Sequence, residues 1–189
     1  MTNLPLVPFK PLPLMEVVKF LGTARYQNQQ LYLDYHIIGN YQRLALPQFP
    51  LSMTSNAQSR QDNLWQGLCF ECFFGVFGQL DYWELNFSLT GAWNLYHFTG
   101  YRQGMTKELR INRLDVNFTT TATELNLSIS LDLRKLNYLS DHRLDLLLAA
   151  VLAESAPSHN TNNLSYWALA HRRAEADFHC RDSFVMHLP

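Results

Sequence analysis

The sequence predicts an all-β fold: an antiparallel β-sandwich of the immunoglobulin-like or jelly-roll kind, preceded by a proline-rich extended arm. Three observations predict it. Short runs alternate apolar and polar residues with the period of two expected of a strand that has one face in water. The clearest sets Leu125, Leu127, Ile129, Leu131 and Leu133 against Asn126, Ser128, Ser130 and Asp132. Turn signals separate the runs, and no helical segments alternate with them, which argues against a parallel α/β sheet. Aromatic residues make up 13% of the chain, a share that suits pleated, half-buried surfaces.

The elements follow in order. Residues 1–15 carry Pro5, Pro8, Pro11 and Pro13 and should run extended over the surface, where they could also serve as a recognition peptide. Residues 16–26 read as a first strand, Leu31–Ile38 as a second ended by Gly39-Asn40, and Leu44–Leu46 as a short third closed by Pro47. Residues 47–63 read as a polar loop. Strands over 68–77, 82–89 and 93–101 then form a meander, with turns at Gly78–Asp81 and Thr90-Gly91. Arg110–Phe118 alternates with Leu114, Val116 and Phe118 inward. The run at 144–154, LDLLLAAVLAE, favours helix by propensity. A strand buried on both faces gives the same apolar run, and in an otherwise all-strand chain the strand reading is taken. A polar loop over 155–163 leads to strands at Ser165–Ala170 and Phe184–Leu188.

At 189 residues the chain suits one domain over 16–189 behind the arm; no repeat, linker or composition break divides it. Such a chain buries roughly 70% of its unfolded surface and needs no disulfide or metal to fold. A net charge of −1 without a basic block excludes binding of nucleic acid by phosphate neutralisation. No apolar run is long enough for a membrane-spanning helix. The first twenty residues lack a basic region before an unbroken apolar core, so no secretory signal is read and the expected location is the cytoplasm. Cys69 and Cys72 resemble a CxxC, but residues i and i+3 of a strand point to opposite faces. They and Cys180 are expected to be buried free thiols.

Chemistry concentrates in Leu64–Met105. On Tyr82–Ser88 one face holds Tyr82, Glu84, Asn86 and Ser88, and the other Trp83, Leu85 and Phe87. Glu71 lies on the preceding strand. A two- or four-residue hairpin loop sets Glu71 and Glu84 on the same face; a three-residue loop separates them. Opposed carboxylates need a cation, an arginine or a ligand between them, and Arg102 is the arginine close in sequence. The face reads either as a polar binding surface or as a buried Glu–Asn–Arg network. Trp65 and Trp93, at strand ends beside turns, are the candidate exposed platforms for a sugar ring, whereas Trp83 reads as core. His171, Asp177, His179 and Asp182 read either as a metal site or as residues that order a loop. No nucleophile elbow, P-loop, GxGxxG or HExxH occurs, and no activated nucleophile stands at recognisable spacing. The chain is therefore expected not to be an enzyme.

The runs LWQGLCFECFF, YWELNFS, GAWNLYHFTGYRQGM and LSYWALAH…ADFHCRDSF resemble the DOMON-like domain proteins of bacteria, which are related to the family-nine carbohydrate-binding modules. The resemblance covers about Leu31 to Leu188. It implies a β-sandwich that holds haem or a sugar. For haem b it implies a methionine–histidine pair, with Met105 and either His171 or His179. For a saccharide it implies paired tryptophans with polar neighbours: Trp65 and Trp93 with Glu71, Glu84, Asn86 and Arg102. The expected function is non-catalytic binding of a saccharide or sugar derivative. Haem binding, and a protein-interaction role through the arm or an edge strand, are the alternatives.

Overall fold

A computed structural model describes residues 3–11, 18–46, 58–136, 142–154 and 163–189. It is an all-β sandwich of two sheets. The five-stranded sheet runs β1 (Leu4–Pro5), β3 (Val18–Gln27), β4 (Gln30–Gly39), β11 (Glu124–Asp132), β10 (Asp115–Thr120). The nine-stranded sheet runs β2 (Val7–Pro8), β13 (Asn163–Ala168), β12 (Leu144–Glu154), β6 (Cys69–Val76), β7 (Tyr82–Phe87), β8 (Ala92–Phe98), β5 (Ser59–Arg60). In addition β14 (Met186–Leu188) pairs with β12, and β9 (Thr106–Lys107) with β8. The pairings are antiparallel except the short parallel contact of β5 with β8.

The two sheets solve different burial problems. In β4 and β11 buried and half-buried residues alternate strictly, as a sheet with one wet face requires. β6, β7 and all but the last residue of β12 are buried on both faces. Two-sided burial explains the unbroken apolar run at 144–154: it is a central strand between β13 and β6, not a helix. The inward faces meet in one core, where Phe20, Tyr35, Phe70 and Trp167 pack ring against ring. Cys72 joins this core, whereas Cys69 faces the opposite side; all three cysteines are free and buried.

Three expectations are corrected. Leu44–Leu46 is not a strand: a 3-10 turn over Tyr41–Arg43 leads into a single bridge from Leu44 to Glu154, and the Leu46 amide then turns back to Leu44 O at 2.8 Å, which ends the pairing. The predicted run Arg110–Phe118 forms β10 only from Asp115. The arm is extended, but it does not lie free on the surface. Leu4–Pro5 pairs with β3 and Val7–Pro8 with β13, so the arm bridges the edges of both sheets. Pro13 lies outside the described residues.

Leu6 sits between those two pairings and is 2% exposed. Its amide donates to Phe20 O at 3.0 Å. A Cβ on Gly22 would come within 2.8 Å of both Leu6 Cδ1 and Leu148 Cδ1, so glycine there leaves room for the plug. Truncating a buried leucine costs the lost transfer energy plus a cavity term. Leu6→Ala should therefore lower unfolding free energy by about 2–4 kcal/mol. Denaturant melts should show a reduced midpoint with an unchanged slope; an unaltered midpoint would mean the arm is not part of the core.

Candidate functional site

The outer face of the nine-stranded sheet carries the polar residues singled out above. Alternation along β6 presents Cys69, Glu71 and Phe73; β7 presents Tyr82, Glu84 and Asn86; β8 presents Asn94, Tyr96 and Phe98. Residues 169–185 cross this face and bury much of it, with Phe178 and Phe184 packed against Phe73. Where the cover meets the sheet there is a cavity of about 320 Å³. Glu71, Phe73, Glu84, Phe98 and Val151 come from the sheet. Trp65 enters from a 3-10 turn at Leu64–Gln66, Tyr166 from β13, Arg102 and Met105 from the turn after β8, and Phe178 and His179 from the cover.

The hairpin register sets Glu71 opposite Asn86 and Phe73 opposite Glu84. Both acids therefore project from one face, on a diagonal and not directly opposed. They are 3% and 4% exposed. Burial pushes both carboxyls up, Glu84 to about 7, and the Glu84 charge raises Glu71 further. Asn86 Nδ2 donates to Glu84 Oε1 at 2.7 Å and, with Arg102, opposes that rise. Asn86 Oδ1 lies 3.6 Å from the Cys69 thiol, so both ends of this fully buried amide are engaged. Glu71 is different: its Oε1 is buried without a hydrogen-bond partner.

His179 closes the network from above. Tyr82 OH lies 2.8 Å from His179 Nδ1 and accepts from the Arg102 amide at 3.3 Å. With the hydroxyl assigned as the donor to Nδ1, the imidazole proton sits on Nε2, 3.8 Å from Glu84 Oε2. Burial, aided by the Arg102 charge, depresses His179 to about 4, so at neutral pH this contact joins a neutral ring to an acid and is not an ion pair.

Arg102 and Asp177 are neighbours across 75 residues of chain. Arg102 Nη2 donates to Asp177 Oδ1 at 2.9 Å, Tyr101 OH to Oδ2 at 2.8 Å, and the His179 amide to Oδ1 at 3.1 Å. Burial alone would raise the Asp177 carboxyl, but the Tyr101 and Arg102 hydrogen bonds carry it below its ordinary value. Arg102 adopts a left-handed φ of 51°, a conformation costly for a side-chain-bearing residue and here fixed by its tie to Asp177.

The structure thus gathers Trp65, Glu71, Glu84, Arg102, Met105 and His179 around one cavity, with Asn86 directly behind it. Trp93 is a correction. It is 2% exposed and in the inter-sheet core, opposite Phe87, beneath the Arg60 guanidinium at 4.3 Å. Its nearness to a turn suggested exposure, but strand parity with Leu95 decides its face. Asp177 orders the covering segment. His171 lies away from the cavity, with Nε2 3.0 Å from Val7 O, and Asp182 falls in the 3-10 turn Arg181–Ser183. Among the described residues no group of three or more His, Cys, Asp or Glu is disposed to hold a metal. Tyr166 and Phe178 were not anticipated. Tyr166 was readable: beside Trp167, which is core, its side chain had to face outward.

The site makes a pH prediction. Glu84 is faced by Glu71 on β6, Asn86 and Tyr82 on β7, Tyr96 on β8, Arg102 after it, and His179 with Asp177 on the cover. A carboxyl raised from 4.5 to about 7 binds more protons folded than unfolded, so stability falls as pH rises through that window. His179, lowered from 6.5 to about 4, acts in the opposite sense and has no further effect above 6.5. Glu84→Gln should therefore gain on wild type as pH rises from about 6 to about 8, by about 1 kcal/mol. Thermal melts across that range test this; parallel profiles would contradict it.

No protein-family model matches the chain, and no curated protein matches it. Two solved structures are similar. One is a candidate carbohydrate-binding protein from Bacteroides uniformis ATCC 8492, at 12% identity and a TM-score of 0.62 over 100% of this chain and 85% of that one. The other is a family-nine carbohydrate-binding module from Caldicellulosiruptor kristjanssonii in complex with glucose, at 10% identity and a TM-score of 0.48 over 98% and 81%. The first likeness shows the fold: this chain has the β-sandwich architecture of that Bacteroides uniformis protein.

Proposed function

We propose that the chain is a non-catalytic saccharide-binding sandwich of the DOMON-like kind, with its site in the cavity on the outer face of the nine-stranded sheet. One observation carries this reading: the cavity combines aromatic rings with buried carboxyls. Trp65, Tyr166, Phe98 and Phe178 supply apolar ring surface, and Glu71, Glu84 and Arg102 supply acceptors and donors. Sugars require that combination, because their C–H faces stack on rings while their hydroxyls need fixed polar partners. The name borne by the Bacteroides uniformis protein of like fold supports the same reading.

The arrangement does not favour haem. Met105 borders the cavity and is 47% exposed, but His179 beside it spends Nδ1 on Tyr82 and turns Nε2 to Glu84. His171 is occupied at Val7. Nor does the cavity hold a nucleophile poised beside a base; its one imidazole already accepts from Tyr82.

Trp65 is half-buried and touches Tyr96 edge-on at 6.0 Å between ring centroids, so its loss should spare the fold. In calorimetric titrations against a panel of mono- and disaccharides, we expect at least one to bind, and Trp65→Ala to weaken it about tenfold or more with a nearly unchanged melting temperature. A panel in which no saccharide binds would overturn the reading. So would a Trp65→Ala variant with wild-type affinity.

A further inference from the structure

We propose, resting on the saccharide reading above, that the cavity selects sugars bearing a free amine, with the ammonium group seated between Glu71 and Glu84. Both acids line the cavity, project from the same face of adjacent strands and are almost fully buried. Two carboxyls so placed require positive charge or protons between them.

The cations at hand are committed elsewhere. Arg102 gives its guanidinium to Asp177, and its charge reaches Glu84 only through space. His179 is neutral, its Nδ1 closed by Tyr82. Asn86 turns its Nδ2 to Glu84 and its Oδ1 to the Cys69 thiol. Glu71 Oε1 is buried without a hydrogen-bond partner, and the Glu71 side chain, with the Cys69 thiol against its carboxyl, lines a cavity of about 320 Å³.

An ammonium group answers each of these deficits. It supplies positive charge in place of the proton that burial keeps on Glu71, and three donors, enough to reach both acids at once. Charge-assisted hydrogen bonds are roughly twice as strong as neutral ones, so exchanging a hydroxyl for an ammonium at this point should raise affinity. The Phe73 and Phe98 rings beside the acids offer a second attraction to a desolvated cation. An acetylated amine has lost the charge and gained bulk, so it should not profit.

The test compares glucosamine, glucose and N-acetylglucosamine by calorimetric titration at neutral pH, on the wild-type chain and on Glu71→Gln. Burial holds Glu71 toward its neutral form, so a neutral isostere should fold. We expect glucosamine to bind about tenfold or more tightly than glucose, N-acetylglucosamine to show no such gain, and the ratio of glucosamine to glucose affinity to fall to about one in Glu71→Gln. Glucose and glucosamine binding equally would overturn the inference and leave the saccharide reading standing. So would a preference shared by the acetylated sugar, or one that survives in Glu71→Gln. Binding of none of the three, in a chain that also ignores the wider saccharide panel, would overturn both.

Discussion

The nine-stranded sheet is buried on both faces, and most of the molecule's organisation answers that constraint. One face is satisfied by the smaller sheet. The other would lie open across β6, β7 and β12 without residues 169–185, which are held down at separate points. Arg181 reaches Asp145 at 2.7 Å and the carbonyls of Val76 and Gln79, and lies over Phe184. Asp177 takes Tyr101 and Arg102, and His171 meets Val7 and the ring of Phe9. These ties differ in kind. The first leaves a half-buried charge uncompensated if broken, whereas the last is exposed and contributes little. The cavity sits at the Asp177 tie, so the segment that buries the sheet also shapes the site.

Local periodicity made most of the fold legible. β3, β4 and β11 follow from alternation, because a strand with one wet face writes its period into the sequence, and the β6–β8 meander follows from its turn residues and aromatic-rich runs. β12 shows where that signal fails: burial on both faces erases the alternation, and only its strand-rich setting identified it. The arm misled for another reason. Prolines predict extended backbone, and the backbone is extended, but nothing local reveals that Leu6 is a plug between two sheet edges.

The site divides along the same line. That Glu84 and Asn86 share a face is a local property of one strand, and it was readable. That Glu71 joins them depended on the parity of one hairpin connection, which the register resolves. Trp93 was misplaced because proximity to a turn was weighed above its parity with Leu95. The Arg102–Asp177 tie and the contribution of Phe178 arise from chain closure over long separations. No spacing rule announces such contacts.

Whether the Glu71–Glu84–Asn86 cluster serves the fold or a ligand can be argued from how completely it is satisfied. Replacing buried ionisable groups by apolar side chains of similar volume is often neutral or stabilising, so a sheet in need of cohesion alone has a cheaper solution available. A network retained for structure is expected to use all its atoms, since an orphaned buried acceptor costs about 1–3 kcal/mol. Asn86 meets that expectation, with both ends of its amide engaged. Glu71 does not. The deficit lies on a cavity wall among aromatic rings and not in the closed core, where such strain would have no outlet. Perturbed carboxyls gathered in a concave site are more often retained for binding or chemistry than for cohesion. With its imidazole tied to Tyr82 and its guanidinium given to Asp177, the cavity presents chiefly the Glu71 and Glu84 carboxyls among aromatic rings.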